Sequence, residues 1–276
     1  MGNVRRRSRS SGAMIATAAG VVLWLGTTLS AGQAQTARGL RTADGKPDLN
    51  GVWQALNTAN WDIQDHAARQ GPMAALGAVF AVPAGLGVVE GNEIPYQPWA
   101  AAKKKENAEN WLKLDPEVKC YMPGVPRATY SPHPFQIIQG AEHILISYEF
   151  ANASRTIHME KKEESPSEFW MGWSRGRWER DALVVDVAGF NDQTWFDRAG
   201  NFHSDALHVV ERYTVIDADH LNYEATIEDP KVFTRPWRMS MPLYRRVEKN
   251  AQLLEYNCVP FSEELLYGDL RKKTNR

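Results

Sequence analysis

Residues 169–213 read FWMGWSRGRWERDALVVDVAGFNDQTWFDRAGNFHSDALHVVERY, and the way this stretch divides into strands decides the fold. Residues 177–179 and 182–187 flank Arg180-Asp181, a spacing that predicts a two-residue hairpin loop. Such a loop wants left-handed residues, and an arginine there costs roughly 1 kcal/mol. Either the flanking strands hold the turn or the loop is longer. Gly189-Phe190-Asn191-Asp192 is a polar turn that ends the second strand. Beyond Gly200-Asn201 a long strand is predicted over 206–216, and Asp217-Ala218-Asp219 turns it into 221–228. The same stretch carries Trp170, Trp173, Trp178 and Trp195, four of the ten tryptophans. Asp186, Asp192, Asp197, His203, Asp205, His208 and Glu211 lie among them. No other stretch mixes so many large aromatics with so many proton-carrying groups, which marks it as the functional centre.

Working outward, alternating runs at 143–150, 154–160, 169–173 and 234–245 supply further strands, with Trp173-Ser174-Arg175-Gly176 read as turn-like. If Ala151-Asn152-Ala153 is a three-residue hairpin loop, Phe150 faces Ser154 and Glu149 faces Arg155. On a surface that ion pair contributes little; in an apolar enclosure it is costly and site-like. Some eight short strands with regular turn signals predict a mainly β fold, an antiparallel lipocalin-like β-barrel or a sandwich, over residues 135–250. Residues 35–134 form a helical and irregular amino-terminal segment. It has a strand start at Val52-Trp53, a short helix at 61–69 and an apolar run at 73–81. Its clearest helix spans 99–114, opened by Pro98 and stopped by Asp115-Pro116. Prolines 123, 126, 132 and 134 predict an extended arm over 120–134. Residues 251–276 are a tail with one short helix at 262–267.

Residues 1–34 stand outside that fold. Arg5, Arg6, Arg7 and Arg9 precede an apolar run at 14–29, and Gly32-Gln33-Ala34 offers a cleavage site, so the pattern is a secretory signal peptide and the location periplasmic or secreted. The run of about 16 residues is short for a membrane span of roughly 20, and no later run approaches that length. Removing four arginines from 32 Lys+Arg leaves 28 against 33 Asp+Glu, a net charge of −5. That argues against a nucleic-acid partner. Cys120 and Cys258 are the two cysteines. In an exported chain such a pair favours a disulfide, which would tie the tail to the proline-rich arm.

On the strand after Asn201, Leu207, Val209, Glu211, Tyr213 and Val215 share one face, while His208, Val210 and Arg212 share the other. Burial would shift a carboxylate up and a histidine down, either of which suits general acid/base work. A structural role for the same groups is the competing reading. His203, His208 and Glu211 match no metal signature, and neither a GxSxG elbow nor a phosphate-binding glycine loop is present. The tryptophans read equally as packed core or as the lining of a ligand pocket, which a barrel encloses readily. The resulting expectation is a cofactor-free, metal-free acid/base enzyme (hydrolase, lyase or isomerase) acting on a small apolar or sugar-like substrate. Asp192, His203 and Glu211 would transfer protons. Arg155, Trp178, Trp195 and Tyr213 would bind the substrate. A non-catalytic carrier and a structural envelope protein are the alternatives. Trp195, in a polar loop, is expected to line the pocket, and Trp178 to be the more deeply packed.

The stretches PDLNGVW (47–53), CYMPGVPR (120–127), GRWE (176–179) through Phe190-Asn191-Asp192, and HSDALH (203–208) through Glu211-Arg212-Tyr213 resemble a broad family of exported bacterial proteins of unknown function. The resemblance spans about residues 47–270 and departs at Arg180, where the pattern has glycine. It implies no activity, but it falls on the stretch already singled out.

Overall fold

The computed structural model describes residues 40–161 and 163–270. The expected signal peptide lies outside these residues. Nine strands close into one barrel in sequence order. They are β1 (Gly51–Gln54), β2 (Phe135–Gln139), β3 (His143–Tyr148), β4 (Ser154–Met159), β5 (Trp173–Glu179), β6 (Ala182–Ala188), β7 (His208–Val215), β8 (His220–Glu228) and β9 (Trp237–Arg245). The inward residues alternate with outward ones: Val209, Glu211 and Tyr213 on β7 and Leu221, Tyr223, Ala225 and Ile227 on β8 are buried. Burying one such aliphatic or aromatic side chain contributes about 1.5–3 kcal/mol. A one-residue slip would expose the whole set, so the register is strongly fixed.

Three expectations change here. The barrel takes one more strand than residues 135–250 supply: β1 bridges β2 and β9, with Val52 opposite Gln136 and Trp53 opposite Arg245. All neighbours pair antiparallel except β4 and β5, which run parallel, with Ile157 opposite Ser174. The strand expected at 169–173 and the turn expected at 173–176 are replaced by one strand, β5, and Phe169 makes only an isolated bridge to Phe190. Residues 160–172 are therefore not a hairpin but a crossover, which a parallel pair requires. The Arg180-Asp181 hairpin forms with two loop residues, Glu179 opposite Ala182 and Arg180 left-handed at φ 56°. Asp181 is gripped by both terminal nitrogens of Arg41, at 2.9 and 3.1 Å.

The β3–β4 register also differs from expectation. Ser147 pairs with Ser154 and Ile146 with Arg155, so Glu149 is not the partner of Arg155. The loop is longer because a 3-10 turn, Phe150–Asn152, is inserted, with Ala151 and Asn152 left-handed.

These registers give the barrel two unlike ends. At the hairpin end the strands are joined by tight turns at 140–142, 180–181 and 216–219. At the opposite, capped end lie Gln54, Phe135, Tyr148, Ser154, Trp173, Ala188 and Trp237. The cap is built from residues 55–134, the loops 189–207 and 229–236, and the tail. It includes α1 (Pro98–Glu109), α2 (Trp111–Leu114), α3 (Arg127–Tyr130) and, in the tail, α4 (Ser262–Tyr267). The helix expected at 99–114 thus breaks at Asn110. The helix expected at 61–69 does not form: the backbone at Ile63, His66 and Arg69 bonds instead to Asp197, Gly85 and Val82. The arm is not extended throughout, since α3 interrupts it. The run at 73–81 is a 3-10 segment, Ala74–Phe80.

A buried ionic cluster joins the cap. Arg127 donates to both oxygens of Asp115, at 2.7 and 2.9 Å, and pairs with Glu117 and Asn60. Arg198, from the 189–207 loop, also pairs with Glu117 and lies 4.8 and 4.9 Å from the rings of Trp61 and Trp111. Burial pushes the Glu117 carboxyl up, but Arg198 and Arg127 outweigh it and hold it at about 2. Cys120 and Cys258 form a disulfide, joining arm and tail.

Candidate functional site

Inside the barrel a polar cluster replaces apolar packing. Arg155 on β4 is buried and forms a bidentate pair with Glu211 on β7, Nη1 to Oε2 at 2.7 Å and Nη2 to Oε1 at 3.0 Å. The hydroxyls of Tyr213 and Tyr223 both donate to Glu211 Oε1, at 3.0 and 2.9 Å. Tyr213 and Tyr223 face each other across β7 and β8, which the register dictates. Burial, then the Glu211 charge, raises both tyrosines well above their ordinary pKa, so both stay protonated donors. Burial alone would lower Arg155, but Glu211 outweighs it and the guanidinium stays charged. A carboxylate offers about four lone-pair sites. Three donors converge on Oε1, one nitrogen of Arg155 and both tyrosine hydroxyls, while Oε2 receives the other Arg155 nitrogen.

Beside this cluster, at the capped end and over the outer face of β4, opens a cavity of about 410 Å³. Arg155 and Ser174 reach it from the parallel β4–β5 pair. Its walls come from Phe169, Trp170 and Met171 of the crossover, Trp173 of β5, His158 of β4 and Met122 of the arm. The crossover makes this mouth: it brings Phe169 and Trp170 to the capped end beside Trp173. Gly172 is where it turns inward, at φ 65°; a Cβ there would lie 2.7 Å from Val187 and 2.8 Å from Phe190. The rings are ordered against one another. His158 stacks on Trp173 at 4.2 Å, Phe169 lies near-parallel to Trp173 at 6.0 Å, and Trp170 meets Tyr121 edge-on at 4.9 Å. Burial lowers the His158 pKa, with His143 adding to the effect, so its ring is neutral at pH 7.

Of the residues singled out from sequence, the structure brings Arg155, Glu211 and Tyr213 together. It does not join Asp192, His203 and Glu211. Asp192 is exposed on the 189–207 loop. His203 is buried in the cap with both ring nitrogens used. Nδ1 lies 2.8 Å from the Ser204 carbonyl and must donate to it, so Nε2 accepts from the Thr194 hydroxyl at 2.6 Å. Burial lowers its pKa, keeping it neutral. The Thr194 side chain in turn packs on Gly124 of the arm, where no Cβ could fit. Trp195 is only 9 % exposed and packs with Trp111 and Val118, so it is core of the cap and does not line the mouth. Trp178 is half-buried at the hairpin end, beside Met159 and Lys46. The expected order of the two tryptophans is thus reversed. The outer-face histidine, His208, sits between Asp186 and Glu228 at 3.0 and 3.4 Å.

Sequence reading missed Ser174, Tyr223, Met122 and His158. Tyr223 was findable, because a turn centred on Ala218 makes it the cross-strand partner of Tyr213. Ser174 was hidden by reading 173–176 as a turn. Among the described residues, no group of three or more His, Cys, Asp or Glu side chains is placed to hold a metal ion. No helix among them is long and apolar enough to cross a membrane. Comparison of the chain with protein-family models, with curated proteins and with solved structures found no match.

Proposed function

We propose that the protein is an exported small-molecule-binding β-barrel whose ligand sits in the aromatic mouth at the capped end. The observation that carries this reading is the cavity of about 410 Å³ with Trp170, Trp173 and Phe169 in its walls and Arg155 and Ser174 beneath them. Ligand sites are typically concave, mostly apolar and of about 300–1,000 Å³, with a few placed polar groups. Binding without chemistry fits the residues better than acid/base turnover. A general base must lie within reach of a substrate proton, and Glu211 is wholly buried, paired with Arg155 and two tyrosines, and does not line the cavity. His203 likewise spends both nitrogens inside the cap. The Cys120–Cys258 disulfide supports export to an oxidising compartment. The test is a thermal-shift screen of small neutral, anionic, cationic and sugar compounds against the wild-type chain and Trp173→Ala. A compound that raises the Tm of the wild type by several degrees and leaves the variant unmoved supports the mouth as the site. Hits that shift both chains equally, or none at all, would sink it.

A further inference from the structure

The charges and hydrogen-bond donors at the mouth narrow the ligand further. We propose that the cavity takes an uncharged planar aromatic molecule bearing a carbonyl-type acceptor, with the ring on Trp173 and the acceptor on Arg155 and Ser174. This rests on reading the mouth as the binding site.

A guanidinium has five N–H groups. In Arg155, two go to Glu211 and one to the Tyr213 hydroxyl at 3.0 Å. A fourth, on Nη1, makes only a long 3.4 Å contact with Ser174 Oγ. The fifth, on Nε, is buried without a hydrogen bond among the described residues, and the Tyr148 hydroxyl, likewise without one, lies beside the guanidinium. Ser174 is itself 1 % exposed, and in that contact its oxygen accepts, leaving its proton to give. Buried donors without acceptors are costly. Arg155 and Ser174 both line the cavity, and between them they keep one weakly used N–H and one hydroxyl proton, so what fits this floor is an acceptor.

Charge then excludes two ligand classes. The Arg155 charge is matched by Glu211, both almost wholly buried, so the floor is neutral as a unit. An anion would meet a guanidinium already paired, with Glu211 behind it and Glu168 at the rim. A cation would have to approach the guanidinium. His158 adds no charge at pH 7, for the reason already given.

The walls choose between flat and polyhydroxylated bodies. Phe169, Trp173 and His158 form a nearly parallel series, with interplanar angles of 27° and 21°. Offset stacking extends such a series readily. Besides the floor, Ser154 and Thr156 are the hydroxyls lining this cavity, too few partners for a sugar's ring of hydroxyls.

The experiment is calorimetric titration of the full chain at pH 7 with benzamide, ethylbenzene, benzoate, benzylamine and methyl β-glucoside, repeated with Trp173→Ala and Ser174→Ala. Benzamide should bind about tenfold tighter than each of the others, the worth of one well-made hydrogen bond over a bare ring. Ser174→Ala should weaken benzamide about three- to tenfold and leave ethylbenzene within about twofold. Trp173→Ala should weaken both. The comparison of benzamide with ethylbenzene on the unmodified protein stands even if Ser174→Ala does not fold. Should a charged probe or the glucoside bind best, and lose its affinity in Trp173→Ala, the mouth is the site and the ligand class is wrong. Should no probe bind in a Trp173-dependent way, both this inference and the reading beneath it fall.

Discussion

At the scale of single residues, the Arg155–Glu211 pair fixes what the barrel interior can be. Two opposite charges are held in a space that side chains of similar volume could fill without charge. Removing one partner leaves the other buried and unpaired, which costs about 3–5 kcal/mol, whereas replacing both with apolar groups is often neutral. Arg155→Met should therefore lower stability by about 3–5 kcal/mol in urea melts, and the double variant Arg155→Met/Glu211→Met should recover most of it. A double variant as unstable as the single would contradict the pairing. The tryptophans give a second test. Trp195 is packed against Trp111 and Val118, so Trp195→Ala should cost about 3–5 kcal/mol. Trp178 is half-buried at the barrel rim and should cost about 1–2 kcal/mol on truncation. Equal losses would refute this assignment of core and rim. Parity along one strand was readable in advance, which is why Glu211 and Tyr213 were correctly placed on one face. Arg155 was also singled out, but with the wrong partner: the cross-strand guess depended on a loop length that the left-handed Ala151 and Asn152 changed. Trp195 misled because it sits in a polar loop, and local polarity says nothing about a neighbouring segment that folds over it.

At the scale of elements, the crossover at 160–172 has the largest consequences. It makes β4 and β5 parallel, turns what would be a plain hairpin chain into a nine-strand ring, and brings Trp170 beside Met122 of the arm. Its sequence, with Pro166 and several acids, carries no periodic signal that separates a crossover from a long hairpin loop. That is why the parallel pair was not legible. The strands β7 to β9 were, because their two-residue alternation is clear, and β6 was, because a short apolar, valine-rich run lies between two turn signals. The short helix at 262–267 was also legible, coinciding with α4. The disulfide binds two elements whose positions in sequence gave no hint of contact beyond there being two cysteines. Cys120 and Cys258 lie 138 residues apart, and constraining a loop of that size stabilises by about 5 kcal/mol on the chain-entropy model. Non-reduced peptide mapping should recover one linked peptide holding both cysteines. The Cys120→Ser/Cys258→Ser protein should lose about 3–5 kcal/mol and become cleavable by protease in the tail near residue 258. Two free thiols in the oxidised protein would overturn this account of the cap.

At the scale of the whole molecule, one end of the barrel is closed by turns and the other by nearly half the chain. The segments of the cap are held to one another through buried polar groups, and one of them makes its stability depend on pH. Burial, and then the neighbouring Asp62 carboxylate, raise Asp197 from 3.8 to about 7; hydrogen bonds from Ile63 and Asn201 oppose the shift without cancelling it. The folded protein therefore keeps a proton that the unfolded chain releases. The stability from this group is fully present below pH 3.8 and is lost as pH rises through about 7. Wild-type stability, measured against Asp197→Asn, should fall across that window; parallel curves for the two proteins would show that Asp197 is ionised throughout. Beyond stability, the account assigns function to the mouth and denies it to the filled interior and to His203. The measurement that bears on this most directly is the crystal structure of the protein with bound benzamide or the best compound from the thermal-shift screen. The account predicts ligand density between Trp173, Trp170 and Met122, with its acceptor atom within about 3 Å of Ser174 Oγ or an Arg155 nitrogen. Density at the hairpin end beside Trp178, or against His203 in the cap, would contradict it.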